Sequence, residues 1–598
     1  MRERWPLGQR QLSALLTGTG SPEDSSTLDH VRRSRNLLLL CGLREVAEAE
    51  QAGAARTARL RDNYSALSAI ESAYQERSAR LMAHPHVGAW LAMCLKHVMG
   101  REQGRVLRPL WADLAHLGAI TVAAAVMTGA EIEATVPVHR GRIFIPTFGC
   151  IDAGSDSAWE LVTVRSLPGG FLRLTETGQV FAPGQLGGEN PGGLDLRHVS
   201  ASCNGLAVDL ELDDLDPYRD CHHLGAAGRL PVGEVESWRR MLTEAWEILA
   251  IRHYHAATSV TRELVTLVPL LARGMSGISA TSRHAPGTVT LTPPRDGTRL
   301  AATLVHELQH TRLGLALELI PLAGRPPGER LYSPWREDPR PLTGLIHGLH
   351  AATAVADFWR IEAQAGQAGP VAAFQYARVR KQIETALDAL SRLSPLTDAS
   401  TILVEAVKDL AASSVSAPVS PRFSGLAEDV TLDHAVRWRL LNLKAADRDV
   451  DRLAACWRAG TPGSPPSNVM TWSEGTESFA EDARLRLIHA RLLGDSPGDP
   501  LSAGAASPSA ADVHLVSGEY EAAAAAYDHD IRSTPSSAEA WAGLAVAARG
   551  TADEAAVALS LRPELVRAVY GRLADVSDAP PPLEVARWMA RWVTSQEG

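Results

Sequence analysis

Two histidines separated by three residues, His306 and His310, form the pattern with the clearest chemical meaning in this sequence. They enclose Glu307 in an HExxH arrangement. In a helix, residues four apart lie one turn apart on the same face, so the two imidazoles can bind one metal ion. The flanking residues 300–305 and 313–319 are mostly apolar, which predicts a largely buried helix whose polar groups need partners. The pattern therefore predicts a metal centre on one helix.

Two protein ligands rarely suffice for a metal ion, so a third is expected from elsewhere in the chain. The helix predicted after the motif offers His347, His350 and Asp357, and the loop before that helix offers Glu337 and Asp338. His347 and His350 are three residues apart and share a helical face. Spacing leaves all five open, and each one alone is more simply explained as an ordinary polar residue.

Three arginines, Arg283, Arg336 and Arg340, lie near the motif in sequence. A guanidinium group matches the geometry of a carboxylate, which suits recognition of a dicarboxylate cosubstrate. Ordinary ion pairing with Glu337 or Asp338 is the simpler interpretation for at least two of the three.

Composition limits the classes of protein to which the chain can belong. Its 598 residues are 45% hydrophobic, enough for about three or four domains. The net charge of -10 and the scattered basic residues predict no nucleic-acid partner. The six cysteines form no CxxC pair, which favours a reducing cytoplasm. No signal peptide is predicted at the N-terminus, and the apolar stretch 117–128 is too short to span a bilayer, so we expect a buried helix and no membrane partner.

The pattern of apolar residues along the chain predicts a mainly α fold with a small antiparallel β-region, and these elements must position the motif. Four regions are predicted: helical residues 1–130, a β-rich subdomain at 131–217, a metal-binding core at 218–395 and a C-terminal helical domain at 396–598. Within the last, residues 518–541 have the spacing of one tetratricopeptide-like helix pair, although a generic helical bundle explains them equally well.

Inside the predicted core, the motif lies on a long helix. Residues 233–273 have helical composition, and 287–292 are predicted as a short strand. The motif helix is expected at residues 298–319 with Thr298 as its N-cap, and a further helix is expected at 342–366.

Taken with their surroundings, these residues resemble a known family, the 2-oxoglutarate-dependent HExxH-type peptide β-hydroxylases. Members occur beside radical-SAM enzymes in gene clusters that make ribosomally synthesised, modified peptides. The resemblance covers roughly residues 30–370 and is more specific than the pentapeptide. The segments that carry it are 279–285, 304–310, 334–341, 347–359, 84–90 and 114–119.

This resemblance implies iron bound by His306 and His310, with 2-oxoglutarate chelating the metal. It implies His347 as the third ligand, a departure from the carboxylate usual in such iron sites. It also implies that Arg283 or Arg336 binds the far carboxylate of 2-oxoglutarate.

The substrate implied by the resemblance is a precursor peptide, hydroxylated at a β-carbon, and a radical-SAM enzyme is an expected partner. Glu307 then belongs to the catalytic site as a group that orients a ligand or bound water. Residues 131–217 are interpreted as a structural subdomain, with docking of a leader peptide on an exposed sheet edge as the alternative.

Three other interpretations stay open from the sequence. In a zinc peptidase of the HExxH type, Glu307 would be the general base that activates a zinc-bound water. A helical scaffold that binds a partner would account for the C-terminal helices but leaves the histidine pair unexplained. A satisfied polar cluster in the core, or an inactive relic of a metal site, is the less favoured interpretation of the motif.

Overall fold

The computed structural model describes most of the chain. The ends of the predicted N-terminal and C-terminal regions, residues 1–8 and 594–598, lie outside the described residues. The described residues are 9–18, 22–101, 108–182, 193–221, 223–271, 277–320, 322, 328–393, 398–463, 466–467, 470–473, 483–494, 508–574 and 579–593.

The predicted fold class is confirmed, because 22 α-helices and 14 short β-strands make up the described part of the chain. The chain divides into two compact units. The first consists of Met1–Ala272 and Ser276–Pro321, and the second consists mainly of Leu322–Gly598. The boundary falls within the region 218–395, and the four-part division made from the sequence stays a prediction.

Helices make up the N-terminal half of the first unit and return before and at the HExxH motif. Their bounds are α1 Gln9–Thr17, α2 Pro22–Glu50, α3 Ala52–Thr57, α4 Leu60–Ala73, α5 Gln75–Met82, α6 Pro85–Val98, α7 Leu110–Thr128, α8 Val232–Arg252, α9 Tyr254–Glu263 and α10 Gly297–Leu319.

The most apolar helix of the first unit is α7. Among the described residues it is the helix long and apolar enough to cross a membrane, and 78% of its most apolar window is buried inside the protein. It packs against α4 and strand β1 (Glu133–His139) in the main hydrophobic core of this unit. Its burial agrees with the buried helix predicted for residues 117–128.

The strands of the first unit form two sheets. A seven-stranded antiparallel sheet has the order β6-β5-β4-β1-β2-β3-β7, and a five-stranded mixed sheet has the order β11-β12-β10-β9-β8. In the mixed sheet, β10 runs parallel to both β9 and β12. The remaining bounds are β2 Arg142–Ile145, β3 Gly149–Asp152, β4 Trp159–Leu167, β5 Phe171–Leu174, β6 Val180–Phe181, β7 Gly193–Asp195, β8 Arg197–Cys203, β9 Leu206–Leu212, β10 Thr266–Pro269, β11 Ser279–Ala280 and β12 Thr288–Leu291.

The HExxH motif lies on α10, which begins shortly after strand β12 of the mixed sheet ends at Leu291. Asp296 is the N-cap, and its side chain accepts a hydrogen bond from the Arg299 backbone N–H at 2.8 Å. The prediction of Thr298 as N-cap is wrong, because Thr298 already lies inside the first turn. Near the other end, Arg312 donates two hydrogen bonds to the buried carboxylate of Glu263 on α9, at 2.6 and 2.9 Å.

The second unit is helical apart from one two-stranded antiparallel sheet, β13 with β14. One helix pair, α18 and α19, packs with the Tyr527 ring directly against Gly543, where any side chain would clash. The bounds are α11 Leu342–Ala365, α12 Gly369–Ser391, α13 Asp398–Ser414, α14 Pro421–Asn442, β13 Leu443–Ala445, α15 Asp447–Arg458, β14 Met470–Trp472, α16 Ala483–Leu493, α17 Ala510–Ser517, α18 Tyr520–Ser533, α19 Ala538–Gly550, α20 Ala555–Leu561, α21 Pro563–Ala574 and α22 Pro582–Val593.

Candidate functional site

The two imidazoles of the motif meet on one face of α10. The Nε2 atoms of His306 and His310 are 3.0 Å apart, and the ring planes cross at 85°. With metal–nitrogen bonds of about 2.1 Å, two nitrogens at this spacing subtend roughly 90° at a common ion. The same spacing suits a hydrogen bond between the rings. The donor set therefore fits two adjacent positions of one metal ion, and metal binding itself stays a prediction.

The histidine pair is accessible from solvent. The His306 side chain is 38% exposed, whereas Glu307 beside it is only 1% exposed. An ion held by the two imidazoles would therefore keep open positions for further ligands, which is the arrangement of catalytic rather than structural metal sites.

Glu307 is held by two hydroxyl groups from the neighbouring sheet. Ser279 Oγ donates to Oε1 and Thr281 Oγ1 donates to Oε2, each at 2.6 Å. Ser279 lies in β11, the edge strand next to α10. The Oε1 atom is also 3.9 Å from His306 Nε2. The carboxylate thus fixes the helix to the sheet and still lies close to the point where the imidazoles converge.

The predicted cosubstrate arginines have different surroundings. Arg283 is exposed and follows Thr281 by two residues, and its Nε lies 3.5 Å from His284 Nε2. Arg336 and Arg340, in the second unit, each donate to the Asp338 carboxylate at 2.8 Å. This ion pairing with Asp338 agrees with the simpler interpretation of the two arginines made from the sequence. Burial would raise the pKa of Asp338, but these hydrogen bonds hold it below its usual value.

The candidates for a third ligand all belong to the second unit. His347 and His350 lie on α11, and Trp335 packs directly on the neighbouring Gly348, where a Cβ would come within 1.9 Å of the indole. Burial and the charge of Arg340 lower the pKa of His347 to about 4. Its imidazole is therefore neutral at neutral pH, which is the form that binds metals.

The carboxylates proposed as alternatives to His347 are occupied by arginines. Asp357 pairs with Arg360 at 3.1 Å. Glu337 pairs with Arg437 on α14 at 2.5 Å. Each of these two carboxylates therefore already has a cation as its partner.

A second group of ionisable residues, in the first unit, escaped the sequence reasoning. His84 and His86 lie at the N-terminus of α6, and Glu211, Asp213 and Asp216 lie at and just after the end of β9. All five are buried. The histidines were noticed only as part of the family resemblance. The acid-rich run that follows the predicted strand at 206–212 is the sequence signal that could have indicated this group.

In this buried group, contacts between opposite charges outweigh the effect of burial on the pKa values. Burial alone would lower the pKa of His86, but the carboxylates of Asp216 and Asp213 raise it well above its ordinary value. Burial would raise the pKa values of Glu211 and Asp213, but contact with His84 and His86 respectively lowers each to about 2. The three carboxyl groups therefore surround the two histidines with negative charge.

The chain was compared with known proteins. No model of a known protein family matches it, and no curated protein matches it.

Proposed function

We propose that this protein is an iron- and 2-oxoglutarate-dependent hydroxylase that acts on a β-carbon of a ribosomally made precursor peptide. The proposal is supported by the family resemblance of residues 30–370 and by one observation. The Nε2 atoms of His306 and His310 lie 3.0 Å apart on a partly exposed helix face. Iron and 2-oxoglutarate, when bound, supply the oxidation that replaces a C–H bond by C–OH.

In this proposal the two imidazoles hold iron at adjacent positions and leave the solvent side for cosubstrate and oxygen. Arg283, exposed and two residues beyond Thr281, binds the far carboxylate of 2-oxoglutarate. We prefer it to Arg336, which already pairs with Asp338. His347 as third ligand is a separate prediction, tested by the metal affinity of His347→Ala.

Glu307 acts in this proposal as a positioning residue. Both of its oxygens accept short hydrogen bonds from hydroxyls, so the carboxylate is held in place on the side of β11. A group restrained in this way is suited to orienting His306 and nearby water, and less suited to moving a proton in each turnover.

A zinc peptidase is the second candidate function, favoured by one distance. Glu307 Oε1 is 3.9 Å from His306 Nε2, near enough to contact a water bound to an ion there. In that case the carboxylate would be the general base of hydrolysis, and the metal would be zinc.

The test is a comparison of wild-type protein with Glu307→Gln and His306→Ala, using a precursor peptide co-expressed with the protein. With ferrous iron and 2-oxoglutarate we expect the peptide to gain one oxygen atom by mass spectrometry. His306→Ala should abolish the gain. Glu307→Gln should retain most of it, whereas loss of a hydrolytic general base costs about 10²–10⁴-fold.

Metal analysis provides a readout that does not depend on the peptide. Iron is expected in protein purified without oxygen, and His310→Ala should contain less iron than wild type. Cleavage of the peptide by the zinc form, without any gain of oxygen and with strong dependence on Glu307, would replace this proposal by the peptidase.

A further inference from the structure

The buried group at the N-terminus of α6 is well separated in sequence from the HExxH motif and has a different construction. His84 caps α6, and its Nδ1 accepts the backbone N–H of His86 at 3.3 Å. Its Nε2 lies 3.1 Å from Glu211 Oε1. Because Nδ1 is an acceptor, Nε2 is the nitrogen that donates to Glu211.

Glu211 is fully engaged by this arrangement. Its second oxygen accepts a hydrogen bond from Thr266 Oγ1 of β10 at 3.0 Å. The pair formed by His84 and Glu211 therefore needs no additional ligand, and it fixes the start of α6 to the centre of the mixed sheet.

Asp213 and Asp216 each use only one carboxylate oxygen to accept hydrogen bonds from the backbone. One oxygen of Asp213 accepts the backbone N–H groups of Leu215 and Asp216, and one oxygen of Asp216 accepts that of Tyr218. The remaining oxygen of each carboxylate faces the ring of His86, at 3.0 Å from Nε2 for Asp213 and from Nδ1 for Asp216. Neither contact has the alignment of a hydrogen bond, and all four atoms are buried.

The cluster can supply three ligands to one ion. Two ligands at about 90° on an ion with bonds of about 2.1 Å are about 3.0 Å apart, which matches His86 Nε2 with Asp213 or His86 Nδ1 with Asp216, one nitrogen at a time. One ligand atom from each of His86, Asp213 and Asp216 lies within 4.8 Å of the other two. The ring can direct one nitrogen to the ion, and both carboxylates are within reach.

The charges of the described residues point the same way. Glu211, Asp213 and Asp216 carry three negative charges, and Arg219, whose guanidinium donates to the Asp216 backbone carbonyl, carries one positive charge. An excess of carboxylates in the interior favours a bound cation, because an unbalanced buried charge is costly.

We propose that His86, Asp213 and Asp216 bind a divalent transition-metal ion, distinct from any ion at His306 and His310, which fastens α6 to the end of β9. One imidazole and two carboxylates suit Zn²⁺, Mn²⁺ or Fe²⁺. All three side chains are at most 4% exposed, so the site is closed to solvent and its ion is structural.

The test is metal content in wild type, three variants and one control, after loading with Zn²⁺ or, separately, Mn²⁺, followed by dialysis. The variants are H306A/H310A, Asp216→Asn in the wild-type background, and Asp216→Asn combined with H306A/H310A. We expect two equivalents in wild type, one in each of the first two variants and none in the combined variant. Asp209→Asn, an exposed carboxylate on β9, is the control and should keep both ions.

Binding of this ion should also raise the thermal stability of the protein. Adding the metal should raise the melting temperature of H306A/H310A protein, and should not raise that of the combined variant. A folded H306A/H310A protein that binds no ion overturns the proposal, as does an unchanged metal content in Asp216→Asn. If wild type binds a single ion and H306A/H310A keeps it, the result would instead count against the proposed function.

Discussion

The two histidine groups of the first unit differ in exposure and in the charge that surrounds them. The HExxH pair places two imidazoles side by side with His306 38% exposed, and its one carboxylate, Glu307, is turned to the hydroxyls of β11. His86 is 4% exposed and lies between two carboxylates. An accessible, weakly charged pair suits an ion that exchanges ligands, whereas a closed, acidic group suits an ion that stays.

Both groups depend on the same five-stranded sheet. Thr281, just after β11, holds Glu307, and Thr266 of β10 holds Glu211. One link between the two sides is Gly88 on α6, where a Cβ would lie 2.3 Å from the His284 carbonyl oxygen. We infer that the buried group supports the segment on which the accessible one is built.

The largest predicted effect is a contrast between the two histidine groups: one variant should lose activity and the other should lose stability. In the proposed function His306 is a ligand of the accessible ion, so we expect His306→Ala to lower turnover by at least about 10³-fold, because the metal contributes several kcal/mol to the reaction. Asp216→Asn breaks a buried charged contact and should lower the free energy of unfolding by about 3 kcal/mol. Activity assays and urea unfolding of both variants measure the contrast. Equal losses of activity and stability in both variants would remove the distinction.

A smaller effect is expected where the sheet holds Glu307. Ser279→Ala and Thr281→Val each remove a hydrogen bond to a buried carboxylate, which should lower the free energy of unfolding by about 1.5–3 kcal/mol. In a double-mutant cycle with Glu307→Gln, the losses should be far from additive. Thr243→Val, at an exposed hydroxyl on α8, is the matched control and should change little. Additive losses would show that the hydroxyls do not act through Glu307.

The helices and the histidine pair were predictable because their information is local. Apolar spacing indicated α7 and α10, and the i, i+4 rule placed His306 and His310 on one face. Errors occurred where local patterns are ambiguous. The four residues of β10 were included in a predicted helix, since a short apolar run does not distinguish a buried strand from a helix. The cap of α10 was assigned two residues late, at Thr298 instead of Asp296.

The buried group around His86 was out of reach for a different reason. His86 and Asp213 are brought together by the packing of α6 on the end of β9, and no sequence period relates a helix start to a strand end far along the chain. Ion pairing of Arg336 was foreseeable, because Asp338 is two residues away. Selection of His347 over the other candidates came from the resemblance and not from spacing.

Gly88→Ala tests whether the two groups are linked through α6. The added methyl would meet a backbone oxygen, which cannot move as a side chain does, so we expect a loss of about 1–3 kcal/mol in unfolding free energy. Metal affinity at the HExxH site should fall as well, measured by titration in the Asp216→Asn background. Gly42→Ala on α2, where nothing lies within 4 Å of the new methyl, should stabilise by about 0.5–1 kcal/mol. Unchanged affinity in Gly88→Ala would mean that the two groups are independent.

The smallest effect concerns His116 on α7, which lies against the rings of Trp90 and Tyr218. Burial lowers the pKa of His116 to about 4. The unfolded chain, with an ordinary histidine pKa, therefore binds this proton first, and its contribution to stability is lost as the pH falls from about 6.5 toward 4. Between pH 7 and pH 6 this one group should cost about 0.7 kcal/mol of unfolding free energy. Urea unfolding of wild type and His116→Phe at both pH values isolates the term, and an equal pH dependence in the two proteins would show that His116 is protonated as readily in the folded state as in the unfolded one.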